Sequence, residues 1–185
     1  MRVPSDFETL LTAMRKAAGA LRDAGIPFAL AGSVAVYAHG GPDTDHDVDF
    51  MVKPEDADRA LEALAGCGFR VHKPSEGWLY KALDPKGALI DIIFEPTTGP
   101  VTDELLDRAE TVEVYAIRVP VLSPTDVLAS KLLALREHNL DLAPMLEIAR
   151  SLREQIDWPE LRRRTNGSAY AKPFFTLAEE LGLAA

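Results

Sequence analysis

The sequence contains little cysteine: Cys67 is the single thiol in 185 residues. One thiol cannot form an internal disulfide, so neither a disulfide-stapled fold nor an oxidising compartment is indicated. Cys67 lies in the stretch Ala65-Gly66-Cys67-Gly68, close to the end of a predicted helix. We expect it to be a small buried residue rather than a reactive thiol.

Long apolar runs are also absent. No stretch approaches the roughly 18 uninterrupted apolar residues that a membrane span needs. Residues 1–6 lack the apolar core of a signal peptide. Apolar residues make up 47% and charged residues 26% of the chain, the balance of an ordinary globular protein. We therefore expect a cytoplasmic protein without a membrane partner, built as one domain or one domain with a small appendage.

Basic residues are in the minority. Lys and Arg number 20 against 29 Asp and Glu, and the formal net charge is -9. A protein that binds a long phosphate backbone usually carries a basic excess. The charge therefore disfavours long nucleic acids as partners. The run Arg162-Arg163-Arg164 is a local exception, which we interpret as a solvated helix face.

The order of apolar segments predicts an α+β fold: a mixed β-sheet flanked by helices over residues 1–122, then an α-helical region over 123–185 that packs on this core. The predicted strands are short apolar runs bounded by turn residues, at 28–31, 47–52, 69–72, 78–83, 89–94, 111–115 and 118–122. The predicted helices show helical spacing or proline in the first turn, at 5–24, 34–38, 54–65 and 123–135. Residues 84–87 have the composition of a hairpin turn. Two or three more helices follow, with a break at Trp158-Pro159.

Asp47 and Asp49 alternate with apolar residues at the start of a predicted strand. Residues two apart in a strand point to the same face, so both carboxylates project side by side. Two like charges held this close repel each other unless a cation lies between them. The preferred occupant is a hard divalent ion, Mg²⁺ or Mn²⁺. The alternative is that both are surface residues on an edge strand.

Asp91 is a lone carboxylate inside the apolar run Leu89-Ile90-Asp91-Ile92-Ile93-Phe94. A carboxylate in such surroundings costs several kcal/mol unless it is paired or bound to metal. On the strand beside Asp47 and Asp49 it would complete a three-carboxylate cluster, the apparatus of phosphoryl or nucleotidyl transfer by two metals. The alternative partner for Asp91 is a buried Arg or Lys.

Gly32 and Ser33 lie between a predicted strand and a short helix. Glycine lets the backbone approach a ligand closely, and the N–H groups at a helix start can bind phosphate. Taken alone, Gly-Ser is a weak signal, and Ser33 could be only an N-cap. The informative feature is the order: apolar strand, Gly-Ser, short helix, glycine-rich loop, then Asp-x-Asp on a strand.

Ala31-Gly32-Ser33, followed by His46-Asp47-Val48-Asp49-Phe50, resembles the signature of the DNA polymerase β-like nucleotidyltransferase superfamily. Asp91 falls where this family has its third carboxylate. The resemblance covers residues 20–95 and extends more loosely to 123–132. There it is similar to the helix with which small stand-alone members, antibiotic nucleotidyltransferases and AbiEii-like toxins, present a phosphate-binding lysine.

The resemblance implies a nucleotidyltransferase-type sheet and a role for each site residue. Asp47 and Asp49 would bind the metals that bridge the phosphates of an NTP co-substrate. Asp91 would bind the second metal or act as base toward the acceptor hydroxyl. Gly32 and Ser33 would hold the β- and γ-phosphates, and Lys131, with Arg136, would neutralise triphosphate charge. The phosphate contacts of Lys131 and Arg136 are implied by the resemblance alone. Lys131 could instead only lie along its leucine-rich helix.

Other residues near these motifs have simpler interpretations. Several relatives carry a basic residue about four positions before the first aspartate, where this sequence has Asp43, followed by Thr44 and Asp45. His39 and His46 lack a zinc-ligand spacing, and His46 is interpreted as a loop residue near the nucleotide. Trp78 and Tyr80 share one face of a strand, for which core packing is favoured over stacking with an acceptor. Asp141 is interpreted as a helix cap.

These patterns predict an enzyme that transfers a nucleoside monophosphate from an NTP to an acceptor hydroxyl. An acidic surface attracts cations, so a small cationic acceptor such as an antibiotic is favoured over tRNA or protein. A toxin-like transferase acting on tRNA or protein is one alternative, and a non-catalytic nucleotide-binding partner subunit is another. The acceptor, the nucleobase, the oligomeric state and the identity of the proton acceptor stay open at this stage.

Overall fold

A computed structural model describes residues 7–42 and 47–184 of the chain. Within these residues the chain forms a seven-stranded mixed sheet, flanking helices and a C-terminal helical part, which confirms the predicted α+β class. The strands are β1 (Phe28–Ala31), β2 (Val48–Val52), β3 (Arg70–His72), β4 (Leu79–Leu83), β5 (Leu89–Ile93), β6 (Glu110–Val114) and β7 (Ile117–Val121). The α-helices are α1 (Phe7–Asp23), α2 (Gly32–Ala38), α3 (Ala57–Gly66), α4 (Asp103–Asp107), α5 (Pro124–Ala134), α6 (Ala143–Leu152), α7 (Trp158–Thr165) and α8 (Lys172–Glu180).

The strands lie in the order β3-β4-β5-β2-β1-β7-β6. Strand β2 runs antiparallel to β1 but parallel to β5, and β1 runs parallel to β7. Two antiparallel hairpins, β4–β5 and β6–β7, complete the sheet on either side. The turn of the first hairpin lies at residues 84–87, as predicted. The mixed pairing makes β2, which bears Asp49, and β5, which bears Asp91, direct neighbours.

Alternation along β2 and β5 separates an apolar face from a face that bears carboxylates. Phe50, Ile90 and Ile92 are fully buried, and helices α1 and α3 contact β5. Asp49 and Asp91 alternate with these residues and therefore point to the opposite face. The apolar core thus fixes the strands while leaving the carboxylates free to face a cavity.

Helix α5 begins where the sequence predicts it. The Ser123 hydroxyl accepts a hydrogen bond from the backbone N–H of Asp126 at 3.1 Å, and Pro124 occupies the first turn. The Thr125 hydroxyl accepts a hydrogen bond from the backbone N–H of Asp157 at 2.9 Å. This bond ties α5 to the start of α7.

Two local predictions are wrong. Cys67 is exposed, because it lies in the exposed stretch 65–68 where α3 ends, before the chain returns to the core at Phe69. Trp158 and Pro159 form the first turn of α7, where proline is tolerated, and Asp157 caps that helix by accepting from the N–H of Glu160 at 2.9 Å. The break therefore precedes Trp158.

The remaining differences are small. A 3₁₀ turn at Pro54–Asp56 precedes α3, and the short helix α4 is not indicated by the sequence pattern. None of the helices in the described ranges is long and apolar enough to cross a membrane. The division of the chain into two regions at residue 122 stays a prediction.

Candidate active site

Three carboxylates converge on the face of the sheet opposite the main core. Asp47 immediately precedes β2, Asp49 lies on β2, and Asp91 lies on β5 directly beside Asp49 in the parallel register. One carboxylate oxygen from each of the three lies within 4.8 Å of the others. The structure therefore brings together the cluster that the sequence predicts, and it excludes a position on an edge strand, because β2 lies between β1 and β5.

The cluster is electrostatically strained. Desolvation, followed by the charges of Asp47 and Asp91, raises the pKa of Asp49 from 3.8 to about 7. The positive charges of Lys131 and Lys81 oppose this rise. A group of three ionised carboxylates at this spacing needs more positive charge than these two lysines place around Asp49.

Lys81 is a member of this site that the sequence interpretation did not include. It faces Asp91 across the β4–β5 hairpin, and its Nζ lies 3.0 Å from Oδ1 and 2.8 Å from Oδ2 of Asp91. The lysine side chain is 34% exposed, whereas that of Asp91 is 8% exposed. A count from the predicted turn at residues 84–87 would place position 81 opposite position 90. The observed register pairs Leu83 with Leu89 and therefore Lys81 with Asp91, a contact that the sequence did not reveal.

Gly32 brings the backbone against the cluster. It is the first residue of α2 and follows Ala31, which is the register partner of Asp49. Its φ is +59°, and a Cβ at this position would lie 1.8 Å from Oδ2 of Asp49. Any side chain here would both strain the backbone and displace the carboxylate.

Ser33 occupies the second position of α2 and is not an N-cap. The cap residue is Ala31, and no side chain caps the helix. Ser33 also does not line the cavity over the cluster. Its contact with phosphate stays a prediction.

A cavity of about 570 Å³ lies over the carboxylates. Helix α5 forms one wall, to which Ser130 and Lys131 contribute. The lining also includes Trp78, Ile93 and Glu95. The backbone N–H of Glu95 donates to the carbonyl oxygen of Trp78 at 3.2 Å, so these two residues are neighbours. Such a volume is in the range of small-molecule sites. Lys131 therefore lies where the sequence predicts it, beside the carboxylates.

Arg136 also lines the cavity, but its guanidinium is engaged at the end of α5. Its Nη1 donates to the carbonyl oxygens of Leu133 at 2.8 Å and of Leu135 at 2.7 Å. An arginine at a helix C-terminus satisfies carbonyls that lack partners in the helix. A phosphate contact of Arg136 stays a prediction, and it would compete with these two bonds.

Trp78 and Tyr80, the two aromatic residues of the β4 region, lie in different surroundings. Trp78 is 40% exposed and lies at the cavity, so core packing is wrong for this residue. Tyr80 packs its ring against Phe94, with the ring centroids 4.8 Å apart. Trp78 precedes the first residue of β4, Leu79, and strand alternation alone could not place it.

Asp126 anchors the start of α5 and is 4% exposed. Its Oδ1 accepts from Arg108 at 2.9 Å and from Arg164 at 2.8 Å, and its Oδ2 accepts from the Ser123 hydroxyl at 2.7 Å. Desolvation works to raise the pKa of Asp126, but the bonds from Arg108, Ser123 and Arg164 outweigh it and hold the pKa below its ordinary value. Arg164 is therefore not part of a solvated helix face.

The other predicted residues fall outside the cluster. His39 Nε2 donates to the carbonyl oxygen of Leu122 at 3.0 Å and takes no part in a metal site among the described residues. Asp141 accepts a hydrogen bond from the N–H of Ala143, the first residue of α6, at 3.0 Å. It is not the cap of that helix, because the cap position is Leu142 and no side chain caps α6. His46 and the acidic stretch 43–45 lie outside the described residues.

The donor set fits a hard divalent ion. All three side chains are carboxylates with converging oxygens, and no sulfur or imidazole ligand belongs to the group. Oxygen-only sites suit Mg²⁺ and Mn²⁺ rather than zinc. A divalent ion would also relieve the repulsion that raises the pKa of Asp49.

Comparisons with solved structures place this site in a known fold. The antibiotic-resistance factor ANT(2'')-Ia in complex with adenylyl-2''-tobramycin has 18% identity and a TM-score of 0.54, with 93% of this chain and 96% of that chain covered. The lincosamide antibiotic adenylyltransferase LnuA with lincomycin has 13% identity and a TM-score of 0.53, with 74% and 92% covered. An antigenic nucleotidyltransferase-like protein from Paracoccidioides brasiliensis has 17% identity and a TM-score of 0.56, with 95% and 93% covered.

At these identities the likeness shows the fold alone. A search of curated proteins by sequence finds no match. The profile of a protein family described as "Uncharacterised nucleotidyltransferase" matches residues 7–179. This range includes every residue of the carboxylate cluster, Gly32 and the wall formed by α5. The chain therefore belongs to this family of nucleotidyltransferases, enzymes that transfer a nucleoside monophosphate.

Proposed function

We propose that the protein transfers a nucleoside monophosphate from an NTP to an acceptor hydroxyl with the help of Mg²⁺ or Mn²⁺. The observation that carries the proposal is the convergence of Asp47, Asp49 and Asp91 beside the backbone of Gly32. A glycine at this position lets the backbone lie against the Asp49 carboxylate. The three carboxylates supply oxygen ligands for cations that neutralise phosphate charge.

The acidic residues of the site bind metal, and the backbone N–H groups and basic residues bind phosphate. Asp47 and Asp49 hold the divalent ion, which when bound neutralises phosphate charge and polarises the phosphoryl oxygens. Gly32 and Ser33, at the start of α2, face the β- and γ-phosphates through their N–H groups. Lys131 on α5 supplies further positive charge to the triphosphate, with Arg136 at the far end of the same wall.

Asp91 accepts the proton of the attacking hydroxyl. The acceptor oxygen forms a bond to the α-phosphorus, the bond from that phosphorus to the β-bridging oxygen breaks, and pyrophosphate leaves. Asp91 suits this role because it lies beside Asp49 in the register, at the edge of the metal-binding pair. The nucleotidylated acceptor and pyrophosphate are the products.

The acceptor we favour is a small cationic molecule rather than tRNA or protein. Among the described residues that line the cavity, the basic side chains are Lys131 on α5 and Arg136 just after it, whereas Glu95 lies beside Trp78. A triphosphate is repelled by Glu95 and is drawn to Lys131, so the Trp78 wall is left for the acceptor. An exposed indole and a carboxylate together suit an amine-bearing ring compound. Similar structures bound to tobramycin and lincomycin derivatives agree with an acceptor of this size.

Calorimetry tests the nucleotide and metal part of the proposal. Wild type is titrated with each NTP in the presence of Mg²⁺ or Mn²⁺ and in EDTA, beside Asp47→Asn/Asp49→Asn. Asp58→Asn is the matched control, because Asp58 is an exposed carboxylate paired with Lys73 outside the cavity. We expect metal-dependent binding in wild type and in the control, and its loss in the double variant. A folded wild type that binds no NTP with either metal would contradict the proposal.

A further inference from the structure

The ammonium group of Lys81 lies inside the carboxylate cluster and contacts both oxygens of Asp91, at 3.0 and 2.8 Å. Cross-strand pairing sets this contact, because Lys81 and Asp91 are direct register partners in the β4–β5 hairpin. The partner carboxylate is only 8% exposed. An ion pair held by a short hairpin and closed off from solvent on one side is a fixed part of the site rather than a mobile surface contact.

We propose that Lys81 is a built-in cation that takes the place of a second divalent ion in the nucleotide-free enzyme. Lys81 neutralises Asp91, and one divalent ion then balances the charges of Asp47 and Asp49, which leaves Lys131 for the triphosphate. Asp47 and Asp49 then hold this single ion, while Lys81 keeps Asp91 out of its coordination. The inference rests on the proposed function, since it concerns the same metal-binding carboxylates.

The proposal and a merely structural role of Lys81 predict opposite changes in metal affinity when the lysine is replaced. Loss of the lysine charge leaves the cluster one negative charge in excess, so divalent ions should bind more tightly and a second ion should enter. A variant that merely loosens the hairpin would bind metal more weakly. Lys81 also holds the Asp91 carboxylate toward the acceptor, so turnover should fall even as metal binding tightens.

The experiment is a titration of the nucleotide-free protein with Mn²⁺ at pH 8, in which electron paramagnetic resonance measures the free ion. The variants are Lys81→Met, Lys81→Gln, which keeps a hydrogen-bond donor without charge, and Lys81→Arg, which keeps the charge. Lys73→Met is the matched control, because Lys73 forms an exposed pair with Asp58 at 2.7 Å, away from the cavity. Circular dichroism verifies that each variant is folded. If Lys81→Met does not fold, Lys81→Gln is the neutral variant used in the titration.

We expect wild type, Lys81→Arg and Lys73→Met to bind one Mn²⁺. The neutral variants should bind the first ion on the order of tenfold more tightly and take a second ion. Unchanged or weaker Mn²⁺ binding in both neutral variants, or two ions in wild type, would overturn the role of Lys81 and leave the proposed function intact. Failure of wild type to bind Mn²⁺ at all would overturn both.

Discussion

Gly32 is the residue at which the backbone and the carboxylate cluster meet. We expect Gly32→Ala to weaken Mn²⁺ binding at least about tenfold, because the new methyl group would occupy the position of Asp49 Oδ2. Gly25→Ala is a matched control: Gly25 has a φ of +66°, close to the +59° of Gly32, and nothing lies within 4 Å of its added Cβ.

Both alanine variants should pay the strain of a left-handed backbone, about 1–2 kcal/mol of unfolding free energy. Gly32→Ala should lower the unfolding free energy by at least about 1 kcal/mol more than Gly25→Ala does, because its methyl group overlaps with Asp49. Urea unfolding measures the difference, and equal losses in the two variants would show that the Gly32 contact has no energetic weight.

Asp49 makes the folding stability of the metal-free protein depend on pH. Burial raises the pKa of Asp49 from 3.8 to about 7, so between these values the folded protein keeps a proton that the unfolded chain releases. This contribution to stability is fully present below about pH 4 and is lost by about pH 7, at up to about 1.4 kcal/mol per pH unit. We expect urea unfolding in EDTA to show lower stability at pH 7.5 than at pH 5.

Asp49→Asn should flatten that slope, because the amide does not titrate. Saturating Mn²⁺ should raise the stability of wild type at pH 7.5 but not that of the variant. A wild type that is as stable at pH 7.5 as at pH 5 in EDTA, with the same behaviour in Asp49→Asn, would contradict a buried carboxyl with a raised pKa.

Among single residues, the sequence identified those whose type conflicts with their surroundings. Asp91 in an apolar run and Asp47-Val48-Asp49 at a strand start are unusual enough to be recognised without a structure. Lys81 was missed because a lysine in a hairpin strand is ordinarily solvated, and only its register partner makes it unusual. Trp78 was misplaced because exposure at a cavity depends on the chain that surrounds it.

Helix α5 forms one wall of the cavity, and Asp126 fixes where that helix begins. Removal of its charge would leave Arg108 and Arg164 without the buried carboxylate that both contact. We expect Asp126→Asn to lower the unfolding free energy by about 3 kcal/mol and to weaken NTP binding, since Lys131 lies on the same helix. Urea unfolding and calorimetry measure the two effects.

Asp58→Asn is the control for Asp126→Asn, because its pair with Lys73 is more than half exposed on both sides. Exposed pairs of this kind contribute little. Full NTP affinity in a destabilised Asp126→Asn would show that the start of α5 does not position Lys131.

At the level of elements, local signals predicted most of the fold. The caps and prolines of α5, the hairpin at residues 84–87 and the strand lengths follow from nearby residues. The parallel pairing of β2 with β5 does not, because it joins segments separated by a helix and two strands. That pairing creates the cluster, so the site was predicted through the family resemblance rather than from local pattern.

The whole molecule carries a net charge of -9, which bears on the choice of acceptor. With labelled NTPs, we expect transfer to an amine-bearing compound such as an aminoglycoside and none to total tRNA. The KM for the cationic acceptor should rise several-fold between low salt and 0.5 M salt, because screening weakens its attraction to the acidic protein.

A neutral acceptor-sized compound with matched hydroxyls is the control for the salt series, since its KM should change little. Transfer to tRNA at physiological salt would favour the toxin-like alternative instead. The preference for a cationic acceptor over tRNA follows from the composition alone. The placement of Glu95 and Trp78 on one cavity wall required the structure.

Strand β1 has a consequence for how the protein is made. Its residues, Phe28–Ala31, are all apolar and buried, and one of its edges pairs with β7, where Leu30 is opposite Val121. During synthesis that edge has no partner until β7 leaves the ribosome, long after β2 has emerged. An unpaired apolar edge is a surface for aggregation and for chaperone binding. The carboxylate site, assembled on the neighbouring strand, therefore reaches its final support only when most of the chain has been translated.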